Sequence, residues 1–125
     1  MHISKFALGE DLTKPNQKKL FEPLTIKNKV LKNRIFSTGH MAVMLKEGCP
    51  TDDMIAYHEA KAKGGAALTI IEAARVHPSG NSGRAAIRAY DPKCISGYKK
   101  LVAACHSYDC FVFGQLTHPG REMAN

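Results

Sequence analysis

Small and polar residues gather in three stretches of this 125-residue chain: Ser37-Thr38-Gly39-His40, Glu72-Ala73-Ala74-Arg75 and Gln115 through Arg121. Each lies at the end of a short apolar run that reads as a β-strand. In parallel α/β folds, the C-terminal ends of the strands are where ligands bind. On the residues alone, the ordinary readings are that Gly39 makes a turn, Ala73 packs and Gln115 bonds backbone. The chain has no GxGxxG, P-loop, HExxH or GxSxG pattern, so Rossmann-type dinucleotide binding and nucleotide hydrolysis lack their markers. Cys49, Cys94, Cys105 and Cys110 form no CxxC pair and have no metal-type spacing. They read as small buried hydrophobes rather than a disulfide framework, which favours a reducing cytoplasm, and no metal site is expected.

The elements that must position these stretches follow from periodicity and punctuation. Residues 1–19 are polar and lysine-rich and read as a lead-in. Leu20 to Ile26 and Val30-Leu31 flank Lys27-Asn28-Lys29, a hairpin turn in which Asn28 tolerates positive φ. Arg34 to Ser37 reads as a strand running into a turn at Gly39. Thr51 is a good N-cap with Asp52 and Asp53 behind it, and Met54, Ile55, His58 and Ala62 recur at helical spacing until Gly64-Gly65. The nearly unbroken apolar run Ala66 to Ala73 suits a strand buried on both faces. A turn-rich loop spans Val76 to Tyr90. Asp91-Pro92 then opens a second helix with an apolar stripe of Ile95, Tyr98, Leu101, Val102 and Cys105. Phe111 to Leu116 is a third buried strand.

The expected fold is therefore α/β, with about three parallel strands, two helices and an N-terminal hairpin. Periodicity does not separate a Rossmann-like sheet from the start of a (β/α)₈ barrel. Two crossover helices on one side leave the other face of a three-stranded sheet bare, with Phe111, Phe113 and Gln115 sharing that face and the outer strands left as open edges. A complete barrel takes about 250 residues. The expectation is a truncated domain over residues 20–125 whose isolated chain is poorly soluble, molten or oligomeric.

Ordered blocks carry a resemblance. Leu20-Phe21-Glu22-Pro23-Leu24 with Leu31-Lys32-Asn33-Arg34-Ile35 is similar to the "LFxPLxIxxxxLKNRI" opening of Old Yellow Enzyme-like NADH:flavin oxidoreductases. Pro50-Thr51-Asp52 with Tyr57 to Gly65 resembles the family's "PTD…YYEARAxGG" helix. Ile70-Ile71-Glu72-Ala73 and Gln115 to Arg121 resemble its "IxEA" and "QLxHxGR". The blocks run in order from about residue 20 to residue 121. The resemblance implies the N-terminal part of a (β/α)₈ TIM barrel with FMN over its top and NAD(P)H as a candidate electron donor. It places Thr38, Gly39, His40 and Met41 under the flavin, lets the Ala73 backbone N–H reach a flavin oxygen, and sets the Gln115 amide against the pyrimidine edge.

The chain also departs from the family pattern. Many members have "APM" followed by Thr or Cys, whereas this chain has Thr38-Gly39-His40-Met41, and a thioether is a poor substitute for a hydroxyl or thiol. "STGH" is more similar to the branch of N-methylproline demethylase and trimethylamine dehydrogenase relatives, which act on C–N bonds. A 4Fe–4S cluster of the kind many of them carry belongs downstream of residue 125. So do the family's catalytic tyrosine and substrate-binding pair, so no catalytic residue is expected in this stretch. His118 and Arg121 brace their loop in this reading, and His58 serves packing.

The expected function is an FMN-binding oxidoreductase acting on a small molecule. It transfers hydride through the flavin from NAD(P)H or oxidises an N-methylated amine. The alternative is a non-catalytic fragment or interaction module on the same scaffold. A homo-oligomer is compatible with either. An apolar content of 44% is enough for a packed core. The net charge of +7 arises from dispersed lysines, nearest to a cluster at Lys14, Lys18, Lys19, Lys27, Lys29 and Lys32. No aromatic stacking pattern accompanies them, which reads as a solvated surface rather than a nucleic-acid face. No stretch approaches the roughly 20 apolar residues of a membrane span, and the N-terminus lacks a secretory h-region.

Overall fold

A computed structural model describes residues 15–81 and 86–123. Helix α1 (Pro15–Phe21) comes first, with proline at a helical position that needs no N–H. The stretch read as lead-in is thus helical from Pro15 onward, and residues 1–14 lie outside the described residues. Strands β1 (Leu24–Ile26) and β2 (Lys29–Leu31) form the expected antiparallel hairpin, Leu24 opposite Leu31. Its positive φ falls on Lys27 rather than Asn28.

Three parallel strands make the body of the sheet. The long β6 (Leu68–Arg75) lies between β3 (Phe36–Ser37) and β8 (Phe111–Thr117). Strand β3 is shorter than the sequence suggests, because Asn33 takes over at its start: its side chain accepts from the Ile35 N–H at 2.9 Å and donates to the Gly65 carbonyl at 2.8 Å. Two small pairings were not legible in the sequence. Strands β4 (Leu45–Lys46) and β5 (Cys49–Pro50) form a hairpin, and β7 (Ile87–Arg88), inside the turn-rich loop, adds in parallel to the end of β6.

Helices α2 (Asp52–Lys63) and α3 (Ile95–His106) are the crossovers. Thr51 caps α2 by accepting from the Met54 N–H. Asp91 caps a short 3₁₀ turn, Pro92–Cys94, that leads into α3. Both helices cover one face of the sheet. Met54 and Ala62 of α2, Leu101 and Cys105 of α3, and Ile71 and Ala74 of β6 form one buried cluster. Ile95 was expected in the α3 stripe but is exposed, because it occupies the first residue of the helix, before the chain reaches the core. A second cluster of Leu31, Ala67 and Leu68, with Leu24, Ile70 and Phe111 against it, seats the hairpin on the starts of the strands.

The opposite face is open. Thr69 shares the helix-covered face with His58 of α2, so its neighbours Leu68 and Ile70, in register with Phe36, Phe111 and Phe113, point the other way. Phe36 is 55% exposed and Phe113 42%.

The cysteines require a correction. Cys49 and Cys94 are joined by a disulfide across 45 residues of sequence. The unforeseen β4–β5 hairpin carries Cys49 to the turn before α3, a juxtaposition that sequence spacing does not reveal. Cys105 and Cys110 are the buried free thiols expected. Burial pushes Cys105 up to about 11, with smaller contributions from Cys110 and Glu59, and burial also raises Cys110. Neither supplies a thiolate near neutral pH.

Candidate cofactor-binding site

The C-terminal ends of β3, β6 and β8 bring three of the sequence-identified residues together. Thr38 to Met41 leave β3 as an irregular stretch with no hydrogen-bonded turn. Gly39 is therefore not there for its dihedral, and its φ lies outside the left-handed region. It is there for space: a Cβ at Gly39 would lie 2.6 Å from Gln115 Oε1 and 3.3 Å from the Ile71 carbonyl oxygen. Gln115 in turn stands in register with Ala73 on the adjacent strand. Gly39, Ala73 and Gln115, separated by up to 76 positions, thus form one patch. The Gln115 side chain is exposed and makes no hydrogen bond among the described residues.

The other three are placed differently. His40 Nδ1 lies 3.0 Å from the Tyr57 hydroxyl of α2. Tyr57 is itself covered by the Lys61 ammonium, 3.9 Å from its ring centroid, and Lys61 donates to Ser37 Oγ at 2.9 Å. The Met41 side chain is exposed, and Thr38 accepts a 3.3 Å bond from Ser37 Oγ at its carbonyl.

Several contributors were missed or left unassigned. The β6–β8 register shifts between Ile70 and Ala73, so that Ile71 and Glu72 together oppose Gly114. Such bulges re-aim side chains next to binding sites. Here Glu72 is buried, and its Oε2 accepts the Ala42 N–H at 2.6 Å and the Val43 N–H at 3.1 Å. The signal was present: a carboxylate inside an apolar strand must find partners. Tyr98 on α3 is pushed up to about 12, by burial first and by the Glu72 charge second, so it stays a neutral phenol. Ser79 Oγ sits 2.8 Å from His77 Nδ1 and 3.0 Å from His118 Nε2, which ties the loop after β6 to the loop after β8. His118 also accepts the Gly120 N–H at 2.9 Å, while Arg121 is exposed, 3.8 Å from the adjacent Glu122 carboxylate. His58 is buried with Nδ1 2.8 Å from Thr69 Oγ1. Burial, with the Lys61 charge second, lowers it to about 4, so it is neutral packing that links α2 to β6.

Residues 19–125 match the model of the NADH:flavin oxidoreductase / NADH oxidase family. The chain belongs to that family. Among this flavin oxidoreductase family's members it is 36% identical over 106 residues to an NADH oxidase of Thermoanaerobacter brockii, covering 82% of this chain and 16% of that protein. It is 30% identical over 111 residues to a "multifunctional alkene reductase/demethylase OYE" of Caballeronia cordobensis, covering 88% of this chain and 16% of the relative. The old yellow enzyme from Trypanosoma cruzi superposes with a TM-score of 0.74 at 29% identity, over 83% of this chain and 28% of that one. The chain thus spans less than a third of the length of these relatives.

The patch fits the flavin that the family name implies. A Cβ at Gly39 would meet the Gln115 side chain, so the glycine lets the Gln115 amide, which makes no hydrogen bond among the described residues, lie against the chain leaving β3. The Ala73 side chain is too small to block its own backbone. Among the described residues, no helix is long and apolar enough to cross a membrane.

Proposed function

We propose that this chain forms one wall of the FMN site of an oxidoreductase that moves hydride between NAD(P)H and a small-molecule substrate. The observation that carries the reading is the convergence of Gly39, Ala73 and Gln115 at the C-terminal end of parallel strands, where the Gln115 amide lies directly against Gly39. Bound FMN supplies the redox chemistry; the protein orients and tunes it. In this reading Gln115 fixes the pyrimidine edge through its amide, the Ala73 N–H faces a ring oxygen, and the Thr38–Met41 backbone lies beneath the ring. None of the six residues acts as a catalytic acid or base. His77, Ser79 and His118 brace the rim of the site without touching these groups.

A second reading of the substrate, oxidation of an N-methylated amine, is favoured by Thr38-Gly39-His40. His40, held by Tyr57, occupies the stretch where many members have a methionine preceding Thr or Cys. It is also compatible with a relative whose name includes both alkene reductase and demethylase. A 4Fe–4S cluster, which the amine branch would add, has no ligands proposed in this chain.

Purified full-length protein titrated with FMN should quench the flavin's fluorescence and shift its visible bands. Flavin that stays spectrally free at all protein concentrations would contradict the assignment and favour a non-catalytic module.

A further inference from the structure

We propose that Glu72 is a positioning residue, which clamps residues 38–43 in the conformation that receives the flavin; the proposal rests on the flavin reading above. Glu72 is a polar side chain buried within β6, where a polar group left without hydrogen bonds costs free energy. It makes no salt bridge among the described residues, and its Oε1 is buried with no protein partner. The carboxylate's bonds go to one place: the consecutive N–H groups of Ala42 and Val43, both onto Oε2.

What those bonds hold is strained. Val43 has a φ of 56°, in the left-handed region, where a β-branched residue is a true outlier. Such strain lasts only where the surroundings enforce it, and it clusters at ligand sites. Val43's own N–H donates to Glu72, and on its other side the Met44 carbonyl accepts from the Thr51 hydroxyl at 2.7 Å, so Glu72 holds the end of the strained residue that faces the flavin stretch. The bulge explains how one strand serves both purposes. Its extra residue lets Glu72 reach the 42–43 backbone while Ala73, the next residue, remains paired with Gln115. Glu72 therefore sets where Thr38–Met41 lie relative to Gln115, and so how closely the Gln115 amide approaches Gly39.

The test has one arm without flavin and one with it. Amide hydrogen exchange at Ala42 and Val43 is compared in the unmodified chain, Glu72→Gln and Glu72→Ala. FMN affinity is then titrated in the same proteins and in Glu72→Ala/Val43→Gly. In Glu72→Ala both amides should exchange about tenfold faster, each having lost its hydrogen bond, and FMN should bind about tenfold more weakly. Glu72→Gln, which keeps one acceptor oxygen, should lose less. Val43→Gly should restore part of the affinity lost in Glu72→Ala, because glycine reaches positive φ without steric cost; a merely structural defect would not be rescued in this way. Unchanged exchange at both amides, or weakened FMN binding with those amides still protected, overturns the clamp. If circular dichroism shows Glu72→Ala unfolded, Glu72→Gln decides the same comparison. Failure of the unmodified chain to bind FMN would sink the flavin reading instead, while the exchange data still decide what Glu72 holds.

Discussion

On the helix-covered face of the β3–β6–β8 sheet, Ile71 and Ala74 are buried against Met54, Ala62, Leu101 and Cys105, and Thr69 reaches the ring of His58. On the other face Phe36 and Phe113 are uncovered, and the Gln115 amide stands exposed at the strand end. The two sides share a backbone but not a task. The covered side follows the ordinary rule that burial of apolar surface stabilises, at about 25 cal/mol per Å². The open side keeps apolar rings in solvent, so they forgo the stabilisation that burial would give, and leaves an amide free to bond a ligand. The residues free to do chemistry here are those whose surroundings packing has not completed.

The comparison can be broken most forcefully in the core. Leu101→Ala removes a fully buried side chain between α3 and the sheet and should cost about 2–5 kcal/mol in urea unfolding. Phe113→Ser on the open face should cost less than about 0.5 kcal/mol and raise the soluble yield. Equal losses at the two positions would mean that the open face is covered in solution.

A smaller effect is set by pH. His58 is held near 4, below its ordinary 6.5, so between those values the unfolded chain binds a proton that the folded chain does not. Stability should therefore be fully present above pH 6.5 and fall as pH drops toward 4, by about 2 kcal/mol after solvent screening. Urea midpoints measured across this window check it. His58→Asn should flatten the profile, and a profile that stays unchanged in that variant would assign the titration elsewhere.

The smallest expected change in stability, with a distinct change in binding, comes from Gly39→Ala. The new Cβ meets the far end of the flexible Gln115 side chain, so the fold should shift by less than about 0.5 kcal/mol. FMN affinity should nonetheless fall roughly tenfold, as expected when one hydrogen bond to the ligand is misplaced. Unchanged affinity would show that the Gly39–Gln115 approach does not matter to the ligand.

Much of the covered side was legible in the sequence. The caps at Thr51 and Asp91, the stripe of Met54, His58 and Ala62, and the apolar run of β6 each carry a local signal that the packing obeys. What was not legible has a common physical cause. Two-residue strands such as β4, β5 and β7 are too short to show periodicity, and they exist because longer neighbours offer them an edge. The bulge at Ile71-Glu72 changes register by one residue inside a run that is apolar on both sides, so alternation cannot reveal it. The Cys49–Cys94 bond depends on the hairpin that those short strands make. For the site, strand-end position marked the three stretches, and the family resemblance singled out Gly39, Ala73 and Gln115 within them. Their meeting, the tie of His40 to Tyr57 and the grip of Glu72 on Ala42 and Val43 depend on tertiary distance.

Whether the open strand ends hold the flavin is decided by amide chemical-shift mapping of the full-length protein during an FMN titration. The largest shifts should fall at Gly39 to Met41, Ala73 and Gln115, with the cavity lined by Val30, Lys32, His106 and Phe111 at the opposite end of the sheet unaffected. Shifts confined to that cavity, or none at the strand ends under saturating FMN, would contradict it.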